Sequence, residues 1–172
     1  ALRLLCLHEA IAEPVIAMLR GAVAELAVGD PSLLRTDVGP LIDGQACQKV
    51  SEAVERLQAA QRDLLAPATA PADAARNFVA PRVFEVEGLA SVRAAGEIFG
   101  PVLQVLRWSG DAARVIERVN GLGYGLTLGL QTRIDSRAQV LARTAHVGNV
   151  YVNRNIIGAV VGVQPFGGEG LS

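Results

Sequence analysis

Apolar runs of strand length alternate with apolar stripes at helical spacing along most of the chain. That switching of period constrains the fold more than any other feature. Repeated strand–helix–strand units imply a mostly parallel open sheet with flanking helices, an α/β fold. Residues 2–7 form the first apolar run. From Ile11 the period becomes helical, with Ile11, Val15, Met18, Leu19, Ala22, Val23 and Leu26 on one face. Pro14 fits the first turn of that helix, and Gly29-Asp30-Pro31 ends it. A second helix follows. Its apolar stripe is Ala46, Val50, Ala53, Val54 and Leu57, and its wet face Lys49, Glu52, Glu55 and Arg56.

Residues 78–84 read as a strand whose Pro81 suggests an edge or a bulge. Residues 101–108 read as a strand with a central Gln104. Asp111 can cap a helix bearing Ala112, Val115, Ile116 and Val119 on one side. Strands over 126–131 and 148–153 flank a helix around 136–144, and the Gly-rich tail over 158–172 shows no obvious element. Between the second helix and the 78–84 strand, residues 66–76 form a Pro-rich connector expected to be an exposed loop. Ligands of such sheets sit at the carboxyl ends of strands, so the loops after strands are the places to seek chemistry.

Composition excludes several classes. Of 172 residues, 51% are apolar and 19% charged, which suits one folded domain and excludes a disordered chain. A net charge of −1 gives no field that gathers nucleic acid or anionic lipid. Two cysteines and two histidines, without CxxC, make neither a disulfide framework nor a recognisable zinc site. No apolar run reaches membrane-spanning length and no signal-peptide pattern opens the chain, so a reducing cytoplasm is expected. Ala1 leads directly into a core strand, as in a domain cut from a longer polypeptide.

Two segments have the residue types of a binding site. Glu97-Ile98-Phe99-Gly100-Pro101 offers an acid, an aromatic ring and a tight turn before a strand. The residues alone favour a blander assignment: a core Phe99, a turn and a surface Glu97. Asn153-Arg154-Asn155 leads into Ile156-Ile157-Gly158-Ala159-Val160-Val161-Gly162 and then Val163-Gln164-Pro165-Phe166-Gly167-Gly168. Small residues there let backbone N–H groups approach an anion, but a packed crossover explains the glycines equally well. No Walker or dinucleotide fingerprint is present. Cys6, inside a strand, and Cys47, near a helix start, read as structural cysteines, and His146 as a capping residue.

In order along the chain, the opening strand, Gly29-Asp30-Pro31, Thr36-Asp37-Val38-Gly39-Pro40, Glu97-Ile98-Phe99-Gly100-Pro101, Tyr124-Gly125-Leu126-Thr127 and Gly148-Asn149-Val150-Tyr151-Val152-Asn153 resemble the aldehyde dehydrogenase superfamily. The tail from Asn153 to Ser172 resembles its Δ1-pyrroline-5-carboxylate (glutamate semialdehyde) dehydrogenase branch, within it the bacterial bifunctional proline-utilisation enzymes. The resemblance covers everything but the connector. It implies an aldehyde dehydrogenase-like catalytic domain, with residues 1–172 as a single domain forming its C-terminal portion.

The resemblance also implies chemistry. A Cys attacks the aldehyde, electrons pass to NAD, and a Glu activates the water that cleaves the thioester. The nucleophile is expected one or two residues before Ala1. The general-base Glu and the NAD-binding domain are expected further upstream, so these residues alone should be inactive. Glu97 is expected to hold the nicotinamide ribose hydroxyls and Phe99 to touch the nicotinamide. Gly158 and Ala159 are expected to offer N–H groups to the substrate carboxylate, and Phe166 to pack on the substrate's methylenes. Ala159 stands where some relatives carry Ser, so it brings no hydroxyl. The parent is expected to be a cytoplasmic homo-oligomer, to use NAD, and to use FAD only where a proline dehydrogenase domain is fused. The other reading is a non-catalytic binding or assembly module of dehydrogenase-like fold.

Overall fold

The computed structural model describes residues 2–65, 77–164 and 166–172, so the connector expected at 66–76 lies outside the described residues. They resolve into two compact units, Arg3–Trp108 and Ser109–Ser172 with Leu2.

In the Arg3–Trp108 unit the elements are β1 (Leu4–His8), α1 (Glu9–Ala24), α2 (Gly44–Ala60), β2 (Arg62–Asp63), β3 (Arg82–Val86), α3 (Leu89–Ala95) and β4 (Val102–Trp108). The sheet order is β1-β4-β3-β2. The first three strands are parallel and only the short β2 runs antiparallel, as the strand–helix alternation requires. Side chains alternate across each strand, so each helix finds its own apolar face. Ala12 and Ile16 of α1 pack with Leu7, Val83 and Val105. Val50, Ala53 and Leu57 of α2 pack with Phe84, Ile98 and Val102.

The stripe assigned to α2 is the one that is buried, but that of α1 is rotated. Ala12 and Ile16 point inward, whereas Ile11 and Met18 are exposed. This helix is apolar nearly all round, so its spacing fits more than one face. It also starts earlier than its apolar stripe suggests. The ring of His8 caps it, Nδ1 accepting from the Ala10 N–H at 3.2 Å, and lies edge-on to Trp108. Pro14 is therefore the sixth helical residue, not in the first turn, and deprives the helix of one backbone hydrogen bond. α1 ends at Ala24, before Gly29. Arg107 of β4 forms ion pairs with Glu85 of β3 and Glu13 of α1, tying that helix to the sheet.

Pro81 does not mark an edge. β3 begins just after it and is paired on both sides, with β4 and β2. The expected strand starts four residues and ends two residues too early, because Phe78 and Val79 are apolar without being in it. Gln104 is buried on β4, its Oε1 without a partner among the described residues.

The Ser109–Ser172 unit holds α4 (Ala112–Asn120), β5 (Tyr124–Gly125), β6 (Thr127–Leu130), α5 (Asp135–Thr144), β7 (Asn149–Val152) and β8 (Glu169–Gly170). Asp111 caps α4 as expected, accepting from the Ala113 N–H at 3.0 Å. β6 and β7 are parallel across the α5 crossover, and β5 and β8 antiparallel. β7 is thus not the last strand: the tail returns as β8, two residues long and invisible to any periodicity argument. Among the described residues no helix is long and apolar enough to cross a membrane.

Candidate functional site

The Glu97 segment is a strap entering the amino end of β4. Gly96 ends α3 with φ of +65°, a conformation that favours glycine. The chain is then extended enough that neighbouring side chains alternate: Ile98 is buried, while Glu97 and Phe99 point outward, Phe99 being 76% exposed. The core plug is therefore Ile98 rather than Phe99. Gly100 follows where a Cβ would stand 2.8 Å from both methyls of Val50, so only glycine lets the strap lie this close to α2.

Glu97 and Phe99 line a shallow hollow of about 460 Å³ against α2, with Lys49, Ala53, Arg56 and Ile98. Among the described residues the Glu97 carboxylate has no hydrogen-bond or ion-pair partner, so both its oxygens are open to donors. Lys49 and Arg56 had the pattern of an ordinary wet helix face, and nothing in the spacing distinguishes them from Glu55. Arg3 also escapes a sequence reading. Its Nη1 donates to the Gly100 carbonyl at 2.6 Å and its guanidinium lies 5.2 Å from the Phe99 ring centre. The one hint is a cation at the start of an apolar strand.

In the other unit, the loop after β7 begins at Asn153, whose φ is +55°. Its side chain accepts from the Thr132 N–H at 2.9 Å and donates to the Thr132 carbonyl at 2.8 Å, pinning the loop to the end of β6. Further on, the loop closes on itself. The Val160 N–H donates to Gln164 Oε1 at 2.5 Å, and the Val163 and Gln164 N–H groups donate to the Val160 carbonyl. The N–H groups of Gly158 and Ala159 have no partner among the described residues, nor do those of Ile156, Ile157, Val161 and Gly162. Gly158 has φ of +87°, and nothing lies within 4 Å of the place a Cβ would take.

Phe166 is 69% exposed, but the backbone after it is seated tightly. A Cβ on Gly148 would lie 2.0 Å from the Gly167 carbonyl oxygen, and one on Gly168 would lie 2.6 Å from that of Gly125. Glycine is needed here for close approach of backbone to backbone, which fixes where Phe166 starts. His146 is not a side-chain cap: Ala145 ends α5, and the His146 N–H is held by the Asn120 side chain at 3.0 Å. The structure thus gathers Glu97 with Phe99 on one strap and Gly158 with Ala159 on one loop, with Phe166 on the segment after it.

Cys6 lacks the setting of an activated nucleophile. Cys6 lies half-buried on β1 beside Leu106, and desolvation pushes its thiol up to about 11. At pH 8 roughly one part in a thousand is thiolate. Iodoacetamide at that pH is expected to label Cys6 slowly in the folded protein and faster once urea is added; rapid labelling of the native protein would contradict its raised pKa. The stability linkage has a definite sign. The thiol titrates near 9.0 when solvated and about 11 when folded, so its contribution is complete below pH 9 and is lost between pH 9 and 11. Cys47, at the start of α2, is half-buried. Among the described residues no cluster of His, Cys, Asp and Glu can hold a metal.

Comparison with known proteins gives a consistent match. The model of the aldehyde dehydrogenase family matches residues 1–172. The chain is 48% identical over its whole length to the Bifunctional protein PutA of Salmonella typhimurium, covering 13% of that protein. It is 36% identical over 97% of its length to the 1-pyrroline-5-carboxylate dehydrogenase of Geobacillus kaustophilus, covering 33% of it. A crystal structure of bifunctional proline utilization A superposes on the whole chain with a TM-score of 0.91 at 45% identity, the chain covering 17% of that structure. The chain therefore spans a small part of the relatives it matches.

Proposed function

The chain belongs to the aldehyde dehydrogenase family, and from that membership we propose that it forms part of the glutamate-semialdehyde dehydrogenase of a proline-utilisation protein. The carrying observation is 48% identity across the whole chain to a bifunctional PutA, with 1-pyrroline-5-carboxylate dehydrogenases among its other relatives. The parent enzyme is an NAD-dependent oxidoreductase of proline catabolism, cytoplasmic and homo-oligomeric. Residues 1–172 are the C-terminal portion of its catalytic domain. FAD belongs only to a fused proline dehydrogenase domain.

The strap fits the nicotinamide end of NAD. An exposed carboxylate without a partner suits two ribose hydroxyls, and an exposed ring beside it suits a flat group. NAD, when bound, supplies the two-electron acceptor. Glu97 would hold the ribose and Phe99 would limit where the nicotinamide ring can lie. Gly158 and Ala159 would donate their N–H groups to the substrate carboxylate, and Phe166 would cover the methylenes. The attacking thiolate would come from a Cys outside these residues, a placement that rests on the likeness to the family; desolvation of the Cys6 thiol, which raises it to about 11, argues against that residue.

The test is an assay of reduced nicotinamide absorbance with glutamate semialdehyde. The intact enzyme turns over and the 172-residue chain alone does not. Turnover by the chain alone that vanishes in Cys6→Ala or Cys47→Ala would place the nucleophile here instead. In the intact enzyme, Glu97→Gln weakens hydrogen bonds to a charged group by about 1.5–3 kcal/mol, a ten- to hundredfold loss in NAD affinity or rate. Unchanged NAD kinetics would return Glu97 to an ordinary surface acid.

A further inference from the structure

Phe99 is 76% exposed, yet its ring does not stand alone. It and the Gly100 carbonyl are the two ends of one clamp, and both are held by Arg3. A lone charged side chain at the mouth of an apolar strand needs a reason. A guanidinium has five donors in a flat fork and stacks on rings, so it can bind a carbonyl at its edge and a ring at its face together. Lys cannot do both with one orientation.

The position of Arg3 in the chain adds to this. Its own carbonyl accepts from the Gln104 N–H at 3.0 Å, so its backbone is fixed in the β1–β4 ladder. The strap between α3 and β4 is fixed by Ile98 in the core and by the Gly100 approach to Val50. These anchors turn Phe99 outward but leave its ring free to rotate about its side-chain torsions. Arg3 is the side chain that meets the ring.

We propose that Arg3 is the positioning residue for the cofactor strap: by holding the Gly100 carbonyl and the Phe99 ring at once, it sets the pose in which Glu97 and Phe99 receive the nicotinamide ribose. This rests on the cofactor reading of Glu97 and Phe99 and extends it to a residue on a different strand. Arg3 acts through these two residues and touches no substrate atom.

The experiment compares Arg3→Ala, Arg3→Lys and Glu97→Gln in the intact enzyme, with NAD varied at saturating aldehyde and the melting temperature of each recorded. Arg3→Ala is expected to raise the KM for NAD about five- to tenfold, with kcat within about twofold and the melting temperature nearly unchanged. Arg3→Lys keeps the charge and loses the fork, so its KM should lie between. A merely structural Arg3 would instead lower kcat and melting temperature together at constant KM, and that result overturns the proposal. So does an unchanged KM in Arg3→Ala while Glu97→Gln raises it. Should Glu97→Gln leave NAD binding untouched, the cofactor reading fails first and the role of Arg3 falls with it. If Arg3→Ala does not fold, the Arg3→Lys profile decides on the same criterion.

Discussion

Phe84→Ala lowers the stability of the protein by about 3–5 kcal/mol, the cost of emptying a large side chain from a core that cannot close around the gap. Phe84 is fully buried, on the α2 face of β3, against Val50, Ala53, Leu57, Ile98 and Val102. Its strand is paired on both sides, so the backbone has little freedom to collapse into the cavity. Phe99→Ala removes the same atoms fifteen residues later from a ring that is 76% exposed. That change forfeits only the stacking with Arg3, about 0.5–1 kcal/mol. Urea unfolding of both variants, followed by far-ultraviolet circular dichroism, gives the contrast directly. A Phe84→Ala loss below about 1 kcal/mol would contradict its place in the core. A Phe99→Ala loss as large as that expected for Phe84→Ala would mean that the strap carries fold stability rather than a surface for a ligand.

These two phenylalanines also show what a sequence can and cannot disclose. Hydrophobic identity does not separate them: each follows an apolar or acidic neighbour and precedes a strand or lies in one. What separates them is tertiary. Ile98 takes the inward position of the strap, which forces Phe99 out, and nothing local says which of the two wins. The helix α2 was legible because its apolar residues occupy one face and charges fill the other, leaving a single orientation. α1 was legible as a helix but not in its rotation, since Ile11 and Ile16 are equally apolar and only packing on Leu7 and Val105 chooses between them. The seven-residue α3 and the two-residue β8 are shorter than the windows from which a period can be read.

The candidate site followed the same rule. Glu97, Gly158, Ala159 and Phe166 stood out through resemblance, because their spacing in a family pattern is a linear property. Arg3 is separated from Gly100 by most of the Arg3–Trp108 unit, and their meeting depends on β1 pairing with β4 rather than with any nearer strand. The close glycines have the same origin. Gly148 must be glycine because the Gly167 carbonyl lies on it, a contact created only when the tail folds back as β8.

Gly158→Val in the intact enzyme is expected to lower kcat/KM for glutamate semialdehyde about a hundredfold, from the loss of hydrogen bonds to a charged carboxylate. The N–H groups of Gly158 and Ala159 have no partner among the described residues, while the next one, on Val160, is taken by Gln164. Gly158 offers open space where its Cβ would be, so a valine side chain meets no packed neighbour there. It would instead project into the open space beside that loop. The backbone opposes the change too, since φ of +87° suits glycine and costs a β-branched residue roughly 1–3 kcal/mol. That strain acts on the loop whatever aldehyde is offered, whereas loss of the anchor acts only on an aldehyde with a carboxylate at its far end. Binding energy at that end helps orient the reacting carbon, so its loss should appear in kcat as well as KM. Propanal, which lacks the carboxylate, should be a poor substrate of the parent and nearly indifferent to the substitution. Kinetics of the one variant with both aldehydes, beside its melting temperature, separate the two effects. Equal losses for both aldehydes with a lowered melting temperature would leave Gly158 as a turn residue and remove the anion anchor from this loop.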